Sequence, residues 1–360
     1  MGNDDPVETL PAIVHLDLER GWRGGQRQLQ LLLQALARQG VAATVIARRG
    51  EQAAGRYRAI PGTAVLEVTG RVEALRLARR IPAPKILHAH TAATTPLAVL
   101  ARRRGDAALA TRRLDRPASS FFLRRLDRVV AISESVERSL VAAGVPPALV
   151  ERIPSAIDRT RCADPAARAA LRAALGVPET TLLGLTVGAL EPQKDPLTLA
   201  RAMADTPPGY HHAWVGDGSL REATRAAVRA ASGRVAERLH LVGYDPDPDR
   251  WFAAADLFVL PSAHEGLGTV LLDAFHFGVP VIGSRIPGTA ELLQDGVSAL
   301  VFAPGDAAGL AAAIGALATD PERRAALAAE GRRRVAAYDI ETTAARYLAL
   351  YRALAAARRR

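Results

Sequence analysis

The chain of 360 residues is 49% hydrophobic and 23% charged, which excludes a disordered protein and leaves room for two domains, each with its own core. The net charge of +10 and the pI near 10.6 favour a polyanionic ligand, but Lys85 and Lys194 are the only lysines, so nearly all basic charge is arginine. Such a composition is typical of a GC-rich genome, and 4% aromatic residues provide few surfaces for stacking bases, so we expect no nucleic-acid partner.

The single cysteine, Cys162, excludes an internal disulfide and fits a reducing compartment. The first residues are acidic ahead of the first apolar run, which is unlike a secretory signal. No apolar run reaches the roughly 18 residues that a membrane-spanning helix needs. We expect a cytoplasmic protein, with peripheral attachment at the inner face of the membrane left open.

The first half of the chain alternates short apolar runs with helix-length segments. A strand is predicted from Ala12 to Leu18, an amphipathic helix from Arg27 to Arg38 and a second strand from Val41 to Ala47. The later predicted strands are Val65 to Val68, Lys85 to His90, Ala108 to Thr111, Arg128 to Ile132 and Val150 to Ile153. Strands separated by helices indicate a parallel sheet covered on both faces.

Two features of this half lie where a parallel sheet binds ligands. Gly24 and Gly25 precede the first helix, where backbone N–H groups bind phosphates, although a glycine pair in a turn is more often structural. His90 ends a predicted strand and should emerge at the carboxyl edge, whereas His88 lies deeper and is expected to be structural. A metal at these two histidines is disfavoured because no acidic or cysteine partner stands at metal-ligand spacing.

The segment from Arg102 to Arg128 contains nine arginines and three aspartates, with Phe121 and Phe122 between them. A solvated, partly salt-bridged surface is the favoured interpretation. The alternative is a patch for an anionic acceptor or for the surface of an anionic membrane.

A second series of strands begins at Leu182 to Val187, after a proline-punctuated stretch that marks a domain boundary between about 157 and 180. Lys194 follows that strand ahead of a helix, where an ammonium group is a compact counter-charge for phosphate. Two further predicted strands run into glycine turns that contain Gly216 and Gly243.

The segment Asp245 to Asp249 contains the D-x-D spacing with which some glycosyltransferases hold a metal. Prolines on both sides of Asp247 favour an extended turn instead, with Asp249 capping a helix that begins at Arg250. Helices are predicted for most of the remaining chain beyond Asp306, the last from about Ile340 to Ala357.

The most informative stretch is a strand, loop, helix and strand unit from Leu257 to Ile282. Its loop contains Glu265, and Asp273 lies about one turn inside the helix. The loop also holds Gly266, Leu267 and Gly268, and the helix begins at Thr269, so that a carboxylate lies beside a helix N-terminus that favours anions. This pairing suits a sugar nucleotide, which has both hydroxyls and phosphates.

Over almost its whole length the chain resembles the GT-B glycosyltransferases of family 4, the retaining group that uses nucleotide-sugar donors. The strongest element is Glu265 to Asp273 with the following Gly278-Val-Pro-Val-Ile282, which looks like the E-x7-E motif of that family. Supporting matches are Gly24-Gly25, His88-Ala-His90, Val130 to Glu134, Ile153-Pro154-Ser155 with Asp158, Lys194, Gly216-Asp-Gly218, and Pro287-Gly288 with Glu291. The N-terminal turn is similar to those of lipopolysaccharide and other cell-envelope sugar transferases.

The resemblance implies an α/β fold of two Rossmann-like parallel-sheet domains that face each other across a cleft. Residues 1–160 would form the acceptor-side domain, residues 161–338 the nucleotide-sugar domain, and residues 339–360 a C-terminal helix that packs back on the first domain. No cofactor or metal is expected. The implied partners are a nucleotide-sugar donor and a glycan, lipid-linked or small-molecule acceptor.

The resemblance also implies a role for each matching residue. Glu265 would contact hydroxyls of the donor sugar, and Asp273 would contact the nucleotide ribose. Lys194 and the N–H groups from Leu267 to Thr269 would hold the diphosphate, which Gly24 and Gly25 would approach from the first domain. His90 would face the reacting sugar, and the turn glycines Gly216, Gly243, Gly266 and Gly268 are assigned to the donor site.

Three departures from the family pattern affect these roles. Asp273 is one methylene shorter than the usual glutamate, Ala189 stands where many members have an arginine, and Ala156 replaces a common glycine. These departures keep open a nucleotide-sugar binding protein without transfer activity. A nucleotide-sugar epimerase also remains open, whereas a sugar phosphorylase should carry a pyridoxal-binding lysine far down the chain and no lysine follows Lys194.

Overall fold

The computed structural model describes residues 10–114, 120–230 and 235–359. The chain divides into two compact units, the first made of residues 1–158 and 339–360 and the second of residues 159–338. Within the described ranges, no helix has the length and apolar character required to cross a membrane.

The first unit is built on a parallel sheet of seven strands in the order β3-β2-β1-β4-β5-β6-β7. These strands are β1 Ala12–Asp17, β2 Ala43–Arg48, β3 Thr63–Val68, β4 Lys85–Ala89, β5 Ala107–Arg112, β6 Arg128–Ala131 and β7 Val150–Arg152. The helices between them are α1 Gly24–Arg38, α2 Gln52–Arg58, α3 Arg71–Arg80, α4 Thr95–Ala101, α5 Ser120–Leu123 and α6 Glu134–Ala142.

The second unit has a parallel sheet of six strands in the order β10-β9-β8-β11-β12-β13. Its strands are β8 Leu182–Val187, β9 Tyr210–Val215, β10 Leu239–Gly243, β11 Leu257–Leu260, β12 Val281–Ser284 and β13 Ala299–Phe302. Its helices are α7 Ala166–Leu175, α8 Pro196–Ala202, α9 Arg221–Ala230, α10 Val235–Arg238, α11 Asp249–Ala254, α12 Thr269–Phe277, α13 Ala307–Ala318 and α14 Pro321–Val335. Short 3₁₀ turns occur at Pro147–Leu149, Pro192–Lys194 and Pro287–Thr289.

The final helix, α15 (Ile340–Arg359), belongs to the first unit. Its buried side chains, Tyr347, Tyr351 and Leu354 among them, join a core formed with α1 and the central strands. Its two buried tyrosines bond to the sheet: the Tyr351 hydroxyl bonds His88 Nδ1 at 2.7 Å, and the Tyr347 hydroxyl bonds Thr111 Oγ1 at 2.9 Å. The predicted α/β class with two Rossmann-like parallel sheets is therefore confirmed.

Several element boundaries differ from the predicted ones. Helix α1 begins at Gly24, three residues earlier than expected, and α11 begins at Asp249. The predicted cap at Asp249 is wrong, because Pro248 is the N-cap residue and Asp249 lies inside the first turn. Strand β12 starts at Val281 and not at Val279, where the apolar run that predicts it begins, since Gly278 ends α12 in the left-handed conformation and two more residues are needed to re-enter the sheet.

Candidate functional site

Each sheet has one point where the winding of the chain reverses, between β1 and β4 in the first unit and between β8 and β11 in the second. Loops at the carboxyl ends of such strand pairs separate and leave room for a ligand. The main predicted site residues lie in these loops or directly beside them. Gly24 and Gly25 are the first two residues of α1 after β1, His90 follows β4, Lys194 follows β8 and Glu265 follows β11.

In the second unit the structure brings Lys194 and Glu265 together. The Lys194 ammonium donates to Glu265 Oε1, and the Ser262 hydroxyl donates to the same oxygen at 2.7 Å. The loop of Glu265 is held beside that of Lys194 because the Ala263 N–H donates to the Gln193 carbonyl at 2.9 Å. A cation and a carboxylate in contact can bind a phosphate and a sugar hydroxyl side by side.

The segment from Gly266 to Thr269 forms the entry to α12. Gly268 is the N-cap residue with φ of +71°, a left-handed conformation that favours glycine, and Leu267 is buried. Among the described residues no side chain caps this helix, and its first turn contains no acidic residue. The helix N-terminus therefore keeps its preference for an anion.

Gly288 fixes the position of this loop from the other side. A Cβ atom at Gly288 would lie 1.8 Å from the carbonyl oxygen of Glu265. Only a glycine permits the turn Pro287–Thr289 to approach the backbone of Glu265 so closely. This close approach explains why a glycine follows Pro287 in the sequence.

Asp273 is held by a different set of partners. It is buried, and Arg161 Nη1 donates to its Oδ1 at 2.6 Å while Arg161 Nε donates to Asp249 Oδ2 at 2.6 Å. Burial by itself would lower the pKa of the Arg161 guanidinium, but Asp273 and Asp249 outweigh it and raise the pKa above its usual value. Arg161 was not singled out from the sequence, where it is one arginine among many.

Gly216 and Gly243 lie at the carboxyl ends of β9 and β10. The Gly216 N–H donates to the Gly243 carbonyl at 2.7 Å, and both have positive φ. A Cβ atom at Gly216 would lie 2.0 Å from the Gly188 carbonyl oxygen, and one at Gly188 would lie 3.4 Å from Lys194 Cε. These glycines therefore permit the close backbone packing beneath Lys194.

The D-x-D segment forms a local turn. Asp245 accepts hydrogen bonds from the Asp247 N–H at 2.9 Å, from Trp251 Nε1 at 2.7 Å and from Arg250 Nη2 at 2.7 Å. These bonds hold the Asp245 carboxylate within the turn.

In the first unit His90 is buried between two partners. Arg113 Nη2 donates to His90 Nδ1 at 3.3 Å, and His90 Nε2 bonds His15 Nδ1 at 2.8 Å. Since a guanidinium only donates, His90 Nδ1 accepts and Nε2 carries the proton. Burial, followed by the charges of His88, His15 and Arg113, lowers the pKa of His90 and keeps the ring neutral.

Three histidines cluster in this unit, because His15 on β1 lies beside His88 on β4 in the sheet register. The ligand atoms of His15, His88 and His90 all lie within 4.8 Å of one another. Such a trio could hold a metal, but both nitrogens of His88 are already hydrogen-bonded and the Arg113 cation contacts His90. Sequence reasoning missed His15, and the expectation of no metal stays a prediction.

The glycine turn after β1 is braced by a buried carboxylate. Asp17 accepts from the Tyr57 hydroxyl at 2.7 Å and from Gln26 Nε2 at 3.3 Å, and Gln26 Oε1 accepts the Arg23 N–H at 3.1 Å. Burial raises the pKa of Asp17, partly opposed by these bonds. A Cβ atom on Gly25 would lie 3.6 Å from Arg113 Cδ, so the start of α1 and Arg113 are neighbours.

Comparison with known families gives two matches along the chain. A family described as group 1 glycosyl transferases matches residues 167–334, and glycosyltransferase family 4 matches residues 22–161. Together the two matches cover most of the sequence.

Curated relatives match with moderate identity. A D-inositol 3-phosphate glycosyltransferase of Thermobispora bispora is 33% identical over 200 residues, which are 52% of this chain and 46% of that protein. The lipopolysaccharide core biosynthesis glycosyltransferase LpsE of Rhizobium meliloti is 34% identical over 162 residues, 44% of this chain and 46% of that protein. The chain thus spans about half the length of these relatives.

Solved structures match over nearly the whole chain. Anabaena Alr3699/HepE in complex with UDP and glucose has a TM-score of 0.82 at 20% identity, covering 94% of this chain and 99% of that one. WaaG, a glycosyltransferase involved in lipopolysaccharide biosynthesis, has a TM-score of 0.73 at 17% identity, covering 93% and 98%. At these identities the likeness shows the fold.

Proposed function

Because the chain belongs to the group 1 glycosyltransferases of family 4 and has the GT-B fold, we propose that it transfers a sugar from a nucleotide-diphosphate sugar to an acceptor hydroxyl. The acceptor is a glycan, a glycolipid or a small molecule. The transfer retains the anomeric configuration and uses no metal or cofactor.

The observation that carries this proposal is the contact between Lys194 and Glu265 at the reversal point of the second sheet. Both side chains are mostly buried, 18% and 13% exposed, so each is held in place before a ligand arrives. A bound diphosphate would lie between the Lys194 ammonium and the N-terminus of α12, and Glu265 would accept hydrogen bonds from hydroxyls of the donor sugar.

Transfer requires the bond between the anomeric carbon and the diphosphate oxygen to break while the acceptor oxygen bonds that carbon from the same face. The electron pair of the broken bond goes to the diphosphate, which also accepts the proton of the acceptor hydroxyl. Lys194 and the N–H groups of Leu267 to Thr269 would stabilise the negative charge that develops, which is often the largest catalytic contribution.

In this proposal the remaining residues bind rather than react. Asp273, together with its partner Arg161, would meet the nucleotide ribose, and Gly216 and Gly243 would give the donor close access to the backbone. In the first unit His90 would face the reacting sugar, and Gly24 and Gly25 would approach the diphosphate.

A panel of nucleotide sugars in a thermal unfolding assay tests the donor half, because a ligand that binds only the folded state raises Tm. We expect one nucleotide sugar to raise Tm in the wild type and much less in Glu265→Gln. Transfer or slow hydrolysis of that donor, followed by the release of nucleoside diphosphate, would establish the activity. A wild-type protein that binds no nucleotide sugar would refute the proposal.

A second candidate is a nucleotide-sugar binding protein without transfer activity. It is favoured by the engagement of Asp273 with Arg161 and by Ala189 in place of a frequent arginine. Donor binding with neither transfer nor hydrolysis, whichever acceptor is offered, would favour it. Interconversion of donors without an acceptor would instead indicate an epimerase.

Within the segment from Arg102 to Arg128, the exposed arginines Arg103, Arg104, Arg124 and Arg125 form the surface for which we propose a peripheral membrane contact. Several have local partners: Arg124 Nε donates to the Gly144 carbonyl at 2.6 Å, and Arg125 stacks over Phe121 at 3.7 Å. Phe121 is 55% exposed among these cations, as expected of a surface that meets lipid. Asp115 and Arg116 of this segment lie outside the described residues.

Co-sedimentation with phosphatidylglycerol vesicles tests this contact. We expect binding that weakens with salt and with Phe121→Ser, and no binding to phosphatidylcholine vesicles. Equal recovery with both kinds of vesicle would exclude an electrostatic membrane contact.

A further inference from the structure

Arg113 follows β5 at the carboxyl edge of the first sheet and is half-buried. Its Nη2 donates to His90, while its Nε is buried without a hydrogen-bond partner. Among the residues that the structure describes, it makes no ion pair with a carboxylate. Desolvation lowers the pKa of Arg113, and the nearby Tyr347, Tyr57 and Asp17 oppose this effect.

A second unpartnered group lies beside it. The Ser155 hydroxyl is 3% exposed and has no hydrogen-bond partner. Arg113 and Ser155 line the same recess, which is completed by side chains of α1 and α15, among them Gln28, Leu32, Thr343 and Tyr347. Gln28 is committed to the backbone of Ala156, so the unpaired donors of this recess are the guanidinium and the hydroxyl.

Positive groups face the recess, and the carboxylate nearest to Arg113 in its electrostatics is the buried Asp17, which opposes the lowering of the Arg113 pKa without forming an ion pair with it. The N-terminus of the 15-residue helix α1 lies against Arg113 at Gly25, and its first turn contains no acidic residue. The adjoining His90 is neutral because of its burial. A buried guanidinium without a counter-ion is costly, and an oxyanion that accepts from it would offset this cost.

We propose that this recess is an oxyanion subsite of the acceptor, in which Arg113 and Ser155 bind a phosphate group that the acceptor carries. The assignment of this subsite to an acceptor rests on the proposed function. Arg113 has five N–H donors, so it can hold His90 in its tautomer through one N–H of Nη2 and still offer its unpartnered Nε to the phosphate. The subsite would select phosphorylated acceptors over neutral ones.

The test uses inorganic phosphate as the probe, at constant ionic strength. The nucleotide that most raises Tm is present at saturation, so that the proposed donor site in the second unit is already occupied. We expect phosphate to raise Tm of the wild type and the apparent Kd to increase at least about tenfold in Arg113→Gln, about 1.4 kcal/mol or more. Arg76→Gln, which removes the same charge from an exposed position on α3 of the same unit, should bind phosphate like the wild type.

Ser155→Ala separates ligand binding from folding. Since the hydroxyl has no partner in the fold, its loss should leave Tm unchanged or higher and still weaken phosphate binding several-fold. A structural role alone would leave the phosphate affinity unchanged.

Each other outcome overturns the inference. An adventitious ion only is indicated if phosphate protects Arg113→Gln as well as the wild type, or does not protect the wild type. Loss of nucleotide binding together with phosphate binding in a folded Arg113→Gln protein would assign Arg113 to the donor diphosphate. If no nucleotide binds the wild type, the proposed function fails, while the phosphate titration without nucleotide still decides whether Arg113 binds oxyanions.

Discussion

Lys194 and Glu265 hold each other in position, so a substitution at either one changes both the charge and the geometry of the loop pair. Both side chains are mostly buried, and the Lys194 ammonium already pairs with the Glu265 carboxylate. When a phosphate binds, the ammonium can exchange that carboxylate for the phosphate. The exchange of one anionic partner for another needs little rearrangement, which suits a site that must bind and release a diphosphate in every turnover.

Replacing Lys194 with alanine should lower kcat about 10²- to 10³-fold, by analogy with the loss of one oxyanion donor. The measurement is steady-state turnover with the donor found in the panel. Arg225→Ala, which removes an exposed cation from the same unit, serves as the control. Unchanged turnover of Lys194→Ala would remove this lysine from the catalytic assignment.

Gly288→Ala should displace the loop of Glu265, because the new methyl group would overlap its carbonyl oxygen. We expect a loss of about 1–3 kcal/mol in the free energy of unfolding and at least about tenfold weaker nucleotide binding. The matched control is Gly315→Ala inside α13, where a Cβ atom meets open space and should stabilise by up to about 1 kcal/mol. Equal nucleotide affinity in both variants would contradict this role of Gly288.

The buried histidines should make the protein less stable in mild acid. Burial lowers the pKa of His212 to about 3, whereas in the unfolded chain it titrates near 6.5. Between these values the unfolded chain holds more protons, so the free energy of unfolding falls with decreasing pH by about 1.4 kcal/mol per unit for this residue. Urea unfolding of the second unit at pH 7 and pH 5 should show a smaller decrease in His212→Gln, and identical decreases would refute the assignment.

Some contacts of the candidate site could be predicted from the sequence, and others could not. Lys194 and Glu265 follow strands at opposite sides of a reversal point, so the parallel topology alone brings them to one edge. The partner of Asp273 could not be inferred in this way. Arg161 lies 112 positions away in a stretch without strand or helix signals, and its contact depends on how that stretch crosses the unit. His15 was recoverable, because it stands in register with His88 once β1 and β4 are paired.

At the scale of elements, most strands and their parallel arrangement follow from apolar runs of strand length separated by helices, whereas the strand order is known only from the structure. Strand β13, Ala299–Phe302, was missed, although its four apolar residues are as many as in other strands that were predicted. Helix α1 was predicted too short because glycines at Gly24 and Gly25 are poor helix formers, and the capping contact between Arg23 and Gln26 compensates for them.

The Tyr351 hydroxyl of helix α15 is the hydrogen-bond partner of His88 Nδ1 in the first sheet. Tyr351→Phe would leave Nδ1 of the buried His88 without its partner and should lower the free energy of unfolding by about 1–3 kcal/mol. Arg352→Ala, on the exposed side of the same helix, should change it by no more than about 0.5 kcal/mol. Denaturant titration of both variants checks this, and equal stabilities would show that the hydrogen bond contributes little.

At the scale of the whole molecule, the net charge of +10 is distributed over many arginines with local structural partners. Arg172 and Arg168 both pair with Asp256, and Arg161 pairs with two aspartates. Much of the positive charge thus stabilises the fold of the second unit. Net charge alone is therefore a poor guide to the ligand of this protein. Arg113, which forms no ion pair with a carboxylate among the described residues, is a more specific guide.

The first unit is assembled from two ends of the chain, residues 1–158 and 339–360, with the second unit encoded between them. A ribosome therefore completes the second unit while the first still lacks Tyr347, Tyr351 and Leu354, which close its core over α1. We expect limited proteolysis of ribosome-bound chains that end at residue 338, followed by a flexible linker long enough to span the exit tunnel, to show protection of residues 159–338 and little protection of residues 10–158. Equal protection of both segments would contradict this order. Translation thus delays completion of the first unit until α15 emerges, so a chain truncated before α15 would expose an apolar surface and be a substrate for chaperones and proteases.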